Sequence, residues 1–333
     1  MRMKKTNRLY RCLLPLVWLT FLLSSCIKED YAGSTDETAT VNLVFSTRAD
    51  GQGTADVDEN EGIKTLRVLI TDADGKVEIN TVQEFEDVST TTLTILGVPV
   101  GTKNFYVIAN EASVGLTDLD DVSTVDGNFL NRVITNPSDA PYFPKTRSQI
   151  STSGLPITGM KEGVQVKGEE NQQIEIEIVH AVAKVVLYVD NQSGEPFTLQ
   201  QVKFGPFIAD RTYLFDKSQQ LPVGVHFNEM SLDAENVKVT PDKDEAVFTG
   251  YIYETGVQKT NCFTLSLVSN TTGFEALANP VTIQFDEAGR NYINRNDQVE
   301  IRAIVNIHKE VETDLDILVV PWGEKDIDVP PFS

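Results

Sequence analysis

The sequence predicts an all-β chain built from β-sandwiches. Apolar residues recur at period two in Val41-Asn42-Leu43-Val44-Phe45, Ile174-Glu175-Ile176-Glu177-Ile178 and Val299-Glu300-Ile301-Arg302-Ala303-Ile304, the spacing of half-buried strands. No segment sustains a long amphipathic helical stripe. Between the runs stand turn-forming clusters such as Asp72-Ala73-Asp74-Gly75, whose glycine can take positive φ.

The chain opens with a targeting segment. Arg2, Lys4, Lys5, Arg8 and Arg11 precede an apolar run, LLPLVWLTFLLSSC over residues 13–26, too short for a stable membrane span. Its end, Leu23-Ser24-Ser25-Cys26, has the layout of a bacterial lipoprotein signal, in which small residues flank an acylated thiol. Residues 1–25 then form the signal peptide and Cys26 the lipidated N-terminus; an ordinary secretory signal with a chance cysteine is the alternative. Ile27-Lys28-Glu29-Asp30 resembles the Lys-acidic-acidic tag of surface-exposed outer-membrane lipoproteins. Residues 26–40, rich in Ser, Thr, Asp, Glu and Ala, read as a polar tether.

Strand-like runs follow at 41–47, 64–71, 92–96 and 103–109. The stretch 112–153, full of Asp, Ser, Thr, Asn and Pro, reads as a long surface loop with one short helix between Phe129 and Ile134. A second series begins near 172 and continues through 200–207, 246–253, 262–268, 280–285, 298–307 and 314–320. Ile174 to Val189 is too long for one flat strand, and its apolar phase changes near His180-Ala181, so a bulge or a crossing between domains is expected there. The expected domains are 41–185 and 186–333.

Composition narrows the function. Loss of residues 1–25 removes five cations and no acid, leaving 23 Lys+Arg against 49 Asp+Glu, a formal charge of −26. Nucleic acid and anionic headgroups are poor partners for such a surface. Cys12 leaves with the signal and Cys26 carries lipid, so Cys262 stands alone and stability must come from hydrophobic cores. Enzymatic signals are weak. His180, His226 and His308 are scattered, each reading as a satisfied strand histidine, and none lies at metal-ligand spacing from another His or Cys. Cys262, in a strand-like context, reads as a buried inert thiol. Asp56-Val57-Asp58-Glu59-Asn60-Glu61 has the start of a calcium loop, but Glu61 replaces the sixth-position glycine and Arg67 the twelfth-position glutamate; a solvated acidic loop is expected. No catalytic residue, metal site or cofactor is assigned.

Several stretches together resemble the fimbrillin family, the subunits of lipoprotein-derived type V pili. They are Thr47-Arg48-Ala49, Leu155-Pro156-Ile157-Thr158-Gly159-Met160, Ala181-Val182-Ala183-Lys184-Val185, Tyr251-Ile252-Tyr253-Glu254, Asn294-Arg295-Asn296-Asp297 and the late Val320-Pro321-Trp322. The resemblance implies two transthyretin-like β-sandwich domains in tandem and cleavage by a trypsin-like protease, here between Arg48 and Ala49. On the other reading Arg48 only polarises the end of an edge strand.

Removing the strand that carries Val41, Leu43 and Phe45 would open an apolar groove, and strand addition from a neighbouring subunit would fill it and build a filament. The candidate donor is the tail 314–333, with Leu315, Ile317, Val319, Trp322, Ile327 and Val329 as its apolar residues; Pro330-Pro331 would end the pairing. The alternative makes the tail the last strand of its own domain, with Trp322 a core or docking anchor.

The partners implied are other fimbrial subunits in a homo-polymer, the outer membrane through lipid on Cys26 before maturation, and a host surface ligand. A fimbrial tip or anchor subunit is the alternative within the family. A surface glycan-binding lipoprotein is the alternative outside it, disfavoured because Trp322 is the sole tryptophan after the signal.

Overall fold

A computed structural model describes residues 37–47, 61–85, 92–135, 154–168, 171–218, 220–241, 246–257, 263–285, 290–307 and 311–321. The first half carries β1 (Thr38–Thr47), β2 (Thr65–Thr71), β3 (Val77–Glu84), β4 (Thr92–Pro99), β5 (Gly101–Ala109), β6 (Val133–Thr135), β7 (Ile157–Val166) and β8 (Gln172–His180). The second carries β9 (Ala183–Asn191), β10 (Phe197–Ala209), β11 (Arg211–Tyr213), β12 (Phe227–Val239), β13 (Ala246–Ile252), β14 (Thr264–Ser269), β15 (Val281–Thr282), β16 (Asp297–Ile307) and β17 (Val311–Pro321). The all-β expectation holds, and the strands form two β-sandwiches in tandem.

In the first sandwich the strand order is β3-β2-β5-β7-β8-β1-β4. β7 and β8 pair only at Ile157↔His180, Thr158↔Val179 and Gly159↔Ile178, a corner from which two arms close on one core. Gly159 permits that corner, because a Cβ there would lie 2.3 Å from the Glu177 carbonyl oxygen. Val41, Leu43, Ile95 and Ile176 from one arm meet Val68, Phe105 and Val107 from the other.

Between β8 and β9 the chain leaves one sheet for another, with Ala181 and Val182 at the crossing, where the apolar phase of the sequence changes. The second sandwich packs the sheet β13-β9-β16-β17 on the sheet β12-β10-β14-β15. Phe197 stacks on Phe274 at 4.9 Å between ring centroids, and Phe204 on Phe263 at 5.9 Å.

A third apolar cluster joins the sandwiches. Tyr106 and Ile108 of β5 and Phe129 and Leu155 from the connecting segment pack with Phe215 and Tyr253 of the second half. β6 pairs with β11, Thr135↔Arg211 to Val133↔Tyr213. The stretch read as a surface loop is exposed at most of its described positions, yet Val114, Leu119, Val125, Phe129 and Ile134 turn inward and are buried. Its only α-helical turn, among the described residues, is Gly127–Leu130, capped by the Asp126 carboxylate accepting from the Asn128 and Phe129 amides, both at 2.9 Å.

Beside that cluster lies a buried arginine. Arg295 donates from Nε to Glu254 Oε1 at 3.0 Å and from Nη2 to Thr212 Oγ1 at 2.9 Å and the Tyr213 carbonyl at 2.8 Å. The Leu214 carbonyl accepts from Arg295 and also from Thr158 Oγ1 of β7 at 3.0 Å, so the network spans both halves. In this way Asn294-Arg295-Asn296-Asp297 and Tyr251-Ile252-Tyr253-Glu254 meet at one place in the fold.

Candidate assembly site around the first strand

β1 begins at Thr38, inside the stretch read as tether, because Ala39 keeps the phase of Val41, Leu43 and Phe45 and is small enough to be buried opposite Val98. The four share one face, as period two requires. All are buried, Val41 and Leu43 completely. On the other face Asn42 Oδ1 accepts from Thr94 Oγ1 at 2.7 Å.

The strand is not an edge. On one side it runs parallel to β8, from Val41↔Gln172 through Leu43↔Ile174 and Phe45↔Ile176 to Thr47↔Ile178. On the other it runs antiparallel to β4, Val41↔Ile95, Leu43↔Leu93 and Val44↔Thr92. This corrects the reading of Arg48 as the polar end of an edge strand: the residue follows an interior strand. Among the described residues β4 has no ladder partner besides β1, and β8 has only β1 and its short contact with β7.

Burial of Val41, Leu43 and Phe45 contributes on the order of 1.5–3 kcal/mol each, roughly 5–9 kcal/mol together. A whole domain is stable by about 5–15 kcal/mol. Without β1 the sheet would lose its continuity, exposing two ladders of backbone groups and an apolar slot lined by Ile95, Val98, Ile174 and Ile176. Any replacement must pair on both sides at once and place apolar residues at every second position.

Glu61, four residues ahead of β2, is buried. Its carboxylate takes the Lys184 ammonium at 2.9 Å and accepts from the Tyr251 hydroxyl, so a residue read as part of a solvated acidic loop is buried in an ion pair with the second half. His180, at the end of β8, donates from Nδ1 to Asn296 Oδ1 at 3.1 Å, with Nε2 3.4 Å from the Glu61 carbonyl oxygen. Burial first, and the neighbouring Lys184 charge, hold its pKa below the ordinary value. His180 is thus a satisfied strand histidine. His226 is not: it is exposed just before β12, its backbone amide donating to Asp210 Oδ1 at 3.0 Å. Arg67, the residue in the twelfth position of the acidic motif, is buried and donates to Glu111, Asp120 and Asn80.

The tail residues Leu315, Ile317 and Val319 lie in β17, an edge strand paired with β16 from Asp297↔Pro321 to Ile307↔Val311. Ile317 is buried in the second core, and Leu315 and Val319 pack against it. Over residues 314–321 the tail is a strand of its own domain, with its outer edge unpaired among the described strands. Cys26, Arg48, Ala49, Cys262, His308, Trp322, Ile327 and Val329 lie outside the described residues, as do the signal peptide and Pro330-Pro331.

Nothing in the sequence alone identifies β1 as an interior strand, since its alternation fits an edge equally well. Its parallel partner, β8, is more than 120 residues further on. Glu61 and Tyr251 were likewise out of reach, joined only by the fold.

The family model described as Major fimbrial subunit protein (FimA) matches residues 39–175, from β1 into β8. No curated protein sequence matches the chain. Among solved structures, a fimbrilin of Porphyromonas gingivalis is similar at TM-score 0.54 and 12% identity, covering 87% of this chain and 99% of that one. The tip fimbrial protein Mfa3 of Porphyromonas gingivalis, with C-terminal truncation, gives TM-score 0.52 and 14% identity over 85% of this chain and 99% of that one. A fimbrial assembly protein of Parabacteroides distasonis gives 0.52 and 17% over 85% and 98%. At these identities the likeness is one of fold.

Proposed function

We propose, from the match of residues 39–175 to the family model described as Major fimbrial subunit protein (FimA), that the chain is a structural subunit of a surface fimbrium. It is exported as a lipoprotein on Cys26, cut between Arg48 and Ala49, and polymerised by donor-strand exchange into a fibre that supports adhesion. The observation that carries this reading is the position of β1: an interior strand with four buried residues, followed at once by a basic residue. Cutting there would free a strand whose site has to be refilled, and a strand from a second copy can supply both ladders. Repeated head to tail, such an interaction is heterologous and builds an open filament.

The donor in this reading is the tail that begins with β17. Leu315, Ile317 and Val319 already have the spacing of Val41, Leu43 and Phe45, and β17 is held by a single ladder. Exchange would trade that ladder for two in a neighbour.

One observation supports a second reading within the same family. Ile317 is buried in its own core, as expected of a subunit that keeps its tail and occupies one end of the fibre as tip or anchor.

The deciding experiment is the N-terminal sequence and lipid status of the protein from sheared fibres and from membranes, taken separately. Ala49 as the first residue in fibres is the expected result. Lipidated Cys26 in every fraction would replace the shaft reading with the anchor.

A further inference from the structure

Asn110, the residue after β5, has a left-handed backbone with φ of 54° and a buried side chain. Its Oδ1 accepts from the backbone amides of Lys64 at 2.9 Å and Thr65 at 3.2 Å. Its Nδ2 donates to the carbonyls of Gly62 at 3.0 Å and Leu155 at 2.7 Å, and its own amide donates to the Thr65 carbonyl at 2.9 Å. One side chain therefore holds the Gly62 carbonyl and the Lys64 and Thr65 amides, leaving no donor or acceptor of its own amide idle. Gly154 makes room for it, since a Cβ there would lie 2.4 Å from Nδ2. Ile63 is buried in the first core, and Glu61 is held by Lys184 and Tyr251.

We infer that Glu61–Thr65 is a built-in stop to proteolytic trimming from the N-terminal side, with Asn110 as its latch. A protease must draw the chain into an extended form around the cut, which requires the local backbone hydrogen bonds to open first. Two basic residues, Lys64 and Arg67, lie only 16 and 19 positions beyond Arg48 in the sequence. A trypsin-like enzyme reaching either would cut at the start of β2 or within it. The latch withholds them: Lys64 and the amide after it are both fixed by Asn110, and Arg67 is buried in β2. Its use in assembly rests on the proposed removal of β1, since the stop would leave β2 seated and the vacated slot well defined. The stop itself does not depend on fibre formation.

The test is limited digestion of the purified full chain with trypsin, read by intact mass and N-terminal sequencing. Wild-type protein should give no product beginning at Thr65 or Val68. Asn110→Gly keeps the left-handed backbone and deletes the latch; a product beginning at Thr65 should then appear, with Lys161 and Lys203 uncut. Hydrogen exchange at the Lys64 and Thr65 amides should rise at least tenfold while Val68 and Ile70 stay protected. Cleavage after Lys64 in wild-type protein, or no change in the variant, would overturn the inference. So would cleavage at Lys161 and Lys203 rising in step with Lys64, which would make Asn110 a support of the whole fold. Ala49 failing to appear as an N-terminus in fibres would count against strand removal and leave these readouts unaffected.

Discussion

Leu43 and Ile174 stand side by side in parallel register, both buried, in the arm of the first sandwich that β1 holds together. A leucine so placed has no room to relax into solvent. Leu43→Ala should cost the full chain about 2–5 kcal/mol, a large-to-small core change whose cavity cannot collapse between two paired strands. Urea unfolding of the purified chain measures this as a lower midpoint with an unchanged slope. If β1 is absent from fibres, fibres of the variant should dissociate at the wild-type denaturant concentration; a parallel loss would mean that β1 is still in place.

Arg48, just after the strand to be removed, and Pro321, where β17 ends within the proposed donor tail, mark the two segments of the proposed exchange. Arg48→Ala should stop fibre assembly while leaving the monomer folded, because the buried face of β1 is made by Ala39, Val41, Leu43 and Phe45, which the change leaves in place. Deleting residues 323–333 should also leave the monomer folded, since β17 ends at Pro321. In the donor reading the same deletion shortens the inserted tail and reduces fibre yield. Fibre mass in the sheared fraction measures both, and normal yield from either variant would remove the corresponding step.

Much of this fold is legible in the sequence because alternation reports burial directly. Val41-Leu43-Phe45, Ile174-Ile176-Ile178 and Val299-Ile301-Ala303 all face cores as their spacing requires. β3 and β12 are not legible, and for one reason: they are edge strands with few buried side chains, such as Leu232 and Ala234 in β12, so polar residues occupy both faces. The 112–135 segment misleads in the opposite sense. Its Asp and Ser residues advertise a surface loop, yet Leu119, Phe129 and Ile134 are spaced irregularly and fill the seam between sandwiches. At the assembly site the buried face of β1 is legible, but its interior position and the latch at Asn110 rest on contacts between residues distant in sequence.

Glu254 and Arg295 form a pair with side chains each 2% exposed. Removing one charge strands the other in a medium that cannot solvate it. Glu254→Gln should therefore destabilise the chain by about 3–5 kcal/mol. Replacing both with methionine should cost less than the two single changes added, because no charge is left unpaired. A double-mutant cycle in urea gives the coupling, and additive costs would show that the pair does not act as a unit.

His180 makes folding depend on pH in a window that few other groups reach. Its ring is enclosed by Asn296, the Glu61 carbonyl and the Lys184 ammonium, and burial outweighs the contacts that favour protonation. The folded pKa therefore lies below the unfolded value of 6.5. As pH falls through that value the unfolded chain takes up the proton first, so stability is full above it and declines below it until the folded pKa is passed. The decline can approach about 1.4 kcal/mol per pH unit for one such group. Urea midpoints between pH 7.5 and 5.5 should fall for wild-type protein and fall less for His180→Gln, which keeps a polar side chain without a titrating ring. Parallel lines for the two proteins would assign the pH dependence to other groups and mean that His180 takes up its proton alike in the folded and unfolded chain.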